Sequence, residues 1–224
     1  MTTARLWLCV LVPLAYLAGS IPFGLLVGLA KGVDPRKAGS GNIGATNVGR
    51  LLGGRYFAVV FLLDLLKGLI PAAAASFITH RAQSAGTAPQ WFDYLLWLLV
   101  GFAAIAGHMF PISLRFRGGK GVATGAGVML GLFPYFTIPG AIAVAIWCVV
   151  FAMRRYVSLA SICAAAAFPL AYACAGVAMR WPIFSTQLPL LIFAIIIAAM
   201  VVYRHRDNIA RLRAGTEHAF RNPA

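Results

Sequence analysis

The chain reads as an all-α polytopic membrane protein with seven transmembrane helices. Three observations lead there. Of 224 residues, 61% are hydrophobic and only 11% are charged, and the mean hydropathy is +0.85. A soluble domain of this size has no core large enough to hide so much apolar surface. The apolar residues also fall into long uninterrupted runs, and the cations gather between them in a strongly one-sided pattern.

The runs are Leu6–Leu29, Gly54–Phe77, Trp91–Phe110, Val122–Phe136, Thr137–Met153, Val157–Met179 and Thr186–Tyr203. The first is too long for the apolar part of a signal peptide and reads as a retained span. Val122–Met153 as one helix would be about 48 Å long, against a hydrocarbon core of roughly 30 Å. Pro134, Pro139 and Gly140 stand in its middle, where they favour a turn, so two short spans fit better. Seven spans put fifteen Lys and Arg residues on one side and three on the other, with Lys67 inside a span. Six spans would divide them eight against ten. The positive-inside rule therefore places the N-terminus in the periplasm and the C-terminus in the cytoplasm. The whole of 1–224 reads as one integral-membrane domain, with Thr79–Gln90 as a polar outside loop. The net charge of +14 is accounted for by basic loops and does not imply nucleic acid. Cys9, Cys148, Cys163 and Cys174 lie inside apolar runs, without metal-ligand or disulfide spacing, and read as packing residues.

With seven spans, three polar stretches share one membrane face. The first, Gly39–Arg50, holds Ser40, Gly41, Asn42, Gly44, Thr46 and Asn47 and ends in Arg50, with no acid. Glycines let amides approach a ligand together, and the Arg fork suits phosphate. The same composition also suits a flexible loop. The second runs from Gly107-His108 through Pro111 to Arg117-Gly118-Gly119-Lys120-Gly121 just before an apolar helix. A glycine nest with a lysine at a helix N-terminus suits an anion, although the spacing is not that of a nucleotide-binding P-loop. His108 can serve as base or as helix cap. In the third, His205, Asn208 and Arg211 share a helix face ahead of Glu217, either in a site or in a tail that meets lipid head groups. Asp64 and Lys67, three apart within a span, can pair on one face. The five acids form no cluster that would hold a metal, and no cofactor site is apparent.

Taken together the three stretches resemble the bacterial acyl-phosphate:glycerol-3-phosphate acyltransferase family (PlsY). Ser40–Arg50 matches S-G-N-x-G-A-T-N-x-x-R. Gly107–Thr124 matches G-H-x-x-P followed by F-K-G-G-K-G-V-A-T, with Arg117 in place of the commoner lysine. His205–Glu217 matches H-x-x-N-I-x-R-L-x-x-G-x-E, and Asp64-x-x-Lys67-Gly68 also fits. The resemblance implies a multi-pass enzyme of the bacterial inner membrane with its site facing the cytoplasm. It would transfer a fatty acyl group from acyl-phosphate to the 1-hydroxyl of sn-glycerol 3-phosphate, without metal, giving lysophosphatidic acid and phosphate for phospholipid synthesis. Ser40, Asn42, Thr46 and Arg50 would then hold phosphate-bearing groups. Lys120 and the amides around Gly118–Gly121 would take a phosphate. His205 and Asn208 would orient glycerol, Arg211 would neutralise charge, and Glu217 would pin the tail. Membrane lipid is the expected surroundings, and a monomer is the expected unit. Without the motifs, the basic loops, glycine-broken helices and intramembrane charges would suggest an organic-phosphate or anion transporter.

Overall fold

The computed structural model describes residues 2–84, 86 and 90–220, and all its extended elements are helices. Arg221, counted among the cations above, and Ala85, Thr87, Ala88 and Pro89 of the expected outside loop lie outside the described residues. The helices are α1 (Thr3–Gly19), α2 (Phe23–Ala30), α3 (Ala45–Leu52), α4 (Gly54–Ser84), α5 (Trp91–Met109), α6 (Val122–Gly131), α7 (Thr137–Arg154), α8 (Val157–Ala178), α9 (Leu188–Arg204) and α10 (Arg206–Arg213).

Several boundaries differ from those read in the sequence. The first run breaks at Ser20–Pro22, where Pro22 has no amide to continue the ladder, although Thr3–Ala30 still has the length and hydropathy of one crossing. Half of the first polar stretch is helical, as α3. The expected loop from Thr79 is helical through Ser84. Five helices, or six when the bent pair α9 and α10 is taken as one span, are long and apolar enough to cross a membrane. The expected span Val122–Phe136 has only ten helical residues, about 15 Å, or half the hydrocarbon thickness.

The packing explains how so short a helix is held. α6 lies along α4, with Gly127 against the Leu65 carbonyl and Gly131 against Ala72. From the other side, Gly68 of α4 sits on the Thr124 carbonyl. Glycines spaced four apart let helix backbones touch where lipid supplies no hydrophobic drive. The Ser76 hydroxyl donates to the Gly131 carbonyl at 2.6 Å and closes the end of α6. α1 meets α5 in the same way, through Gly19 on Ala104 and Gly107 on Tyr16.

The bundle has two distinct ends. At one, Arg5 pairs with Asp93 at 2.7 Å, and Tyr135 packs on Tyr94 (6.0 Å) and Trp181 (5.3 Å). The three polar stretches gather at the other. Phe136, Phe168, Tyr172 and Phe193 form an aromatic layer between them, with ring centroids 5.1 to 6.0 Å from Phe136.

Candidate active site

Asn47 builds the first polar stretch. Its Oδ1 accepts the Ser40 amide at 2.9 Å. Its Nδ2 donates to the carbonyls of Pro35, Ala38 and Asn42 at 2.9, 3.1 and 2.8 Å. One buried side chain thus ties four backbone points into a tight loop, with Gly41 supplying the left-handed turn at φ 69°. Asn42 Oδ1 accepts the Gly44 amide at 2.8 Å ahead of α3. The sequence reading offered Gly41 and Asn47 to a ligand. Instead, Gly41 makes the turn away from the cavity and the Asn47 amide is used up within the loop. Arg50, on the last turn of α3, donates through Nη2 to the His218 carbonyl at 2.8 Å, while its Nε is buried without a partner.

The second stretch folds back on the end of α5. The Gly118 and Gly119 amides donate to the carbonyls of Met109 and His108, each at 3.1 Å, and Arg204 Nη2 donates to both glycine carbonyls at 2.8 Å. These two amides are therefore not available to cradle a phosphate, contrary to the sequence reading. The glycines are needed because Gly119 lies against Nε2 of the His108 ring and Gly118 against the His108 carbonyl, leaving no room for a Cβ. What the loop presents is Lys120, with Gly121 at the N-terminus of α6. Burial, with Arg211 and Arg50 nearby and only partly offset by Glu217, pushes the Lys120 ammonium down to about 8.

The third stretch is organised by Glu217. Its Oε1 accepts from Ser158 Oγ at 2.8 Å and Asn208 Nδ2 at 2.6 Å, and its Oε2 accepts from Arg211 Nε at 2.8 Å. Burial opposes ionisation of this carboxyl, but the bonds from Arg211, Asn208 and Ser158 outweigh it and hold the group below the usual range. Asn208 Oδ1 accepts from Lys120 Nζ. Asn208 therefore links Lys120 to Glu217, and Arg211 serves Glu217; in the sequence reading both faced substrate. His205 Nδ1 lies 2.7 Å from the Val201 carbonyl. Since a carbonyl only accepts, Nδ1 carries the proton and Nε2 is left as an acceptor. Burial and the Lys120 charge push His205 down to about 4, so it is neutral at pH 7.

These groups enclose one polar cavity of about 100 Å³. Ser40, Asn42, Gly44, Thr46, Asn47, Arg50, Asp64, His108, Lys120, Gly121, His205, Asn208 and Glu217 line it; Gly41, Lys67, Gly118, Gly119 and Arg211 do not. Both lining acids already have cationic partners, Asp64 in Lys67 at 2.7 Å and Glu217 in Arg211 at 2.8 Å. Arg50 and Lys120 are paired with no acid among the described residues, so the cavity is built for anions. An apolar cavity of about 270 Å³ adjoins it, walled by Gly125, Ala126, Ala143, Ala164 and Ala165 and floored by Phe168. Phe57, Phe61, Gly121, Val122, Trp147 and Ser161 line both.

A cationic chamber opening into an apolar slot suits a ligand with a phosphate head and an aliphatic tail, and comparison with known proteins agrees. Residues 9–215 match the family model described as glycerol-3-phosphate acyltransferase. The chain belongs to the glycerol-3-phosphate acyltransferase family. It is similar to the glycerol-3-phosphate acyltransferase of Aquifex aeolicus (strain VF5), 43% identical over 94% of this chain and 97% of that one. The Geobacter sulfurreducens enzyme of the same name is 46% identical, covering 95% and 97%. The crystal structure of PlsY (YgiH), an integral membrane glycerol 3-phosphate acyltransferase, in its glycerol 3-phosphate form, superposes with a TM-score of 0.79. It is 42% identical and covers 96% of each chain. Its lysophosphatidic acid form gives 0.76 at 41% identity, covering 96% and 95%. The chain is thus an integral-membrane acyltransferase of phospholipid synthesis, and the transporter alternative has no support.

Two supporting residues of this acyltransferase escaped the sequence reading. Ser158 follows α7 and α8's junction without any motif around it. Arg204 directly precedes His205 and is counted in the sequence reading among the cations of one membrane face, without a role in the site.

Proposed function

We propose that this enzyme transfers a fatty acyl group from acyl-phosphate directly to the 1-hydroxyl of sn-glycerol 3-phosphate, releasing lysophosphatidic acid and phosphate. The observation that carries this reading is the wall the two cavities share: Arg50 and Lys120 line the polar one, and the adjoining slot is lined by alanines and aromatic rings. The phosphate of the donor lies by Arg50, Ser40, Asn42 and Thr46, and its acyl chain enters the slot without leaving the lipid. The acceptor phosphate lies by Lys120 and the N-terminus of α6, whose first amides have no intrahelical partners. His205 Nε2 accepts the hydrogen bond of the glycerol hydroxyl. The hydroxyl oxygen forms the ester bond, the acyl–oxygen bond to phosphate breaks, and the departing phosphate takes the proton. A mixed anhydride needs little acid help. Positioning supplies about 7–11 kcal/mol, and each donor aimed at the developing oxyanion adds roughly 3–4 kcal/mol.

The same reading makes residues 1–224 one monomeric, seven-crossing domain of a bacterial inner membrane, with the site and the C-terminus in the cytoplasm. The path of the chain supports the seven crossings, and the one-sided cations support the orientation. Lys120 belongs to the polar end, Tyr135 to the Tyr94–Trp181 end, and Arg155 to the polar end again, where its carbonyl accepts the Phe220 amide at 2.8 Å. The short helix α6 and the turn after it thus make one passage together.

The test is acyl transfer by purified protein in lipid, with labelled glycerol 3-phosphate and EDTA. Labelled lysophosphatidic acid is expected with palmitoyl-phosphate and not with palmitoyl-CoA. Product from the thioester would overturn the donor assignment.

A further inference from the structure

The last described residues reach back to the site. After α10 the segment Ala214–Phe220 turns back beside the polar cavity, which Glu217 lines, and touches helices on both sides of it. The Glu217 carboxylate binds Ser158 of α8 and both Asn208 and Arg211 of α10. The His218 carbonyl accepts from Arg50 of α3 at 2.8 Å. The Phe220 amide donates to the Arg155 carbonyl after α7 at 2.8 Å. The Phe220 ring rests between Phe57 of α4 and Phe151 of α7, with centroids 5.4 and 6.1 Å away. Phe57 lines both cavities, and Phe151 stacks at 5.0 Å on Trp147, which also lines both. The segment therefore bridges the α3–α4 side and the α7–α8 side at the junction of polar chamber and apolar slot. Besides the Glu217 carboxylate, the segment is held by one main-chain carbonyl, one main-chain amide and one ring.

We propose that Thr216–Phe220 is a positioning strap, anchored by Phe220, that aims Arg50 through the His218 carbonyl and keeps water away from bound acyl-phosphate. The inference rests on the functional reading above. An acyl-phosphate is reactive toward any nucleophile that reaches its carbonyl carbon, and exclusion of water is a recognised function of closing elements. With the strap loose, a water oxygen bonds to the acyl carbon and the acyl–oxygen bond to phosphate breaks. Phosphate leaves with one proton of the water, and a free fatty acid is formed in place of lysophosphatidic acid. Because the His218 contact is made by a main-chain carbonyl, replacing the His218 side chain leaves the strap intact, whereas losing the Phe220 ring removes its anchor.

The experiment compares wild type, Phe220→Ala and Phe220→Leu in lipid, with acyl-labelled palmitoyl-phosphate and saturating glycerol 3-phosphate. It reads the ratio of free palmitate to lysophosphatidic acid above a protein-free blank, and melting confirms the fold. Phe220→Ala is expected to raise the ratio about tenfold, and Phe220→Leu to restore most of it. Should Phe220→Ala fail to fold, a chain ended after Ala219 poses the same question without an internal void. A wild-type ratio in the variants, with or without a slower overall rate, overturns the proposal. Wild-type protein that makes no lysophosphatidic acid from palmitoyl-phosphate overturns instead the functional reading beneath it, a failure visible before any variant is assayed.

Discussion

Arg50 and Lys120 carry the charge that the proposed chemistry needs, and they are held differently. Lys120 is fixed by Asn208, which is itself fixed by Glu217; Arg50 rests on a backbone carbonyl. Alanine at either position is expected to lower kcat/KM by about 10²–10³-fold, the scale of one lost transition-state donor. Lys120 adds a pH signature. Its pKa of about 8 means that the ammonium is present at pH 7 and is lost as pH rises through 8. Above that point kcat/KM is expected to fall about tenfold per pH unit, while bound phosphate favours the ammonium and moves the kcat profile to higher pH. For stability the sign is opposite. The folded pKa lies below the ordinary 10.5, so the unfolded chain binds the proton more tightly between those values and the fold gains stability as pH rises through that window. Asn47 is a purely structural counterpart. Asn47→Ala removes one acceptor and a donor group serving three carbonyls, and is expected to cost about 2–4 kcal/mol, a melting point roughly 5–10 °C lower, measured by thermal unfolding in detergent. At this scale the sequence singled out Ser40, Arg50, Lys120, His205, Asn208 and Glu217, which all reach one cavity, along with Gly41, Gly118, Gly119 and Arg211, which do not. It did not separate ligand-facing groups from scaffold. Asn47, Gly118 and Gly119 look like anion binders by type, and only the loop geometry reveals that their polar groups are already used.

Among the elements, α6 depends most on small residues. Its backbone lies directly on α4, so Gly127→Leu must push the Leu65 carbonyl aside and is expected to abolish folded, monodisperse protein. Gly140→Ala, where the nearest atom is Met129 Cβ at 3.6 Å, is expected to leave yield and melting unchanged. Size-exclusion profiles of the two variants check this. The long helices were legible because 18 or more apolar residues have few alternatives. The break at Ser20–Pro22, the helical half of the first polar stretch and the ten-residue length of α6 were not. The break follows from Pro22, which ends the amide ladder; the other two are set by where backbones dock, as with Gly24 on the Ile43 carbonyl, and hydropathy carries no record of docking.

Over the whole molecule, the two ends differ in chemistry. An aromatic cluster with Tyr94, Tyr135 and Trp181 marks one, and cations mark the other. The seven-crossing reading makes opposite demands on the termini. In a chain whose Cys9, Cys148, Cys163 and Cys174 are replaced by alanine, Thr2→Cys is expected to react with an impermeant thiol reagent from the periplasm, and Gly215→Cys only after the membrane is opened. Reaction of both from one side would reduce the crossings to an even number.

The central claim is direct transfer between two phosphate-bearing substrates held in one cationic cavity. Rapid quenching of the enzyme with acyl-labelled palmitoyl-phosphate, with and without glycerol 3-phosphate, tests it most directly. Direct transfer predicts that lysophosphatidic acid forms within the first turnover when glycerol 3-phosphate is present, with no label on denatured protein in either case. Stoichiometric label on Ser40, formed without glycerol 3-phosphate and discharged when it is added, would contradict it.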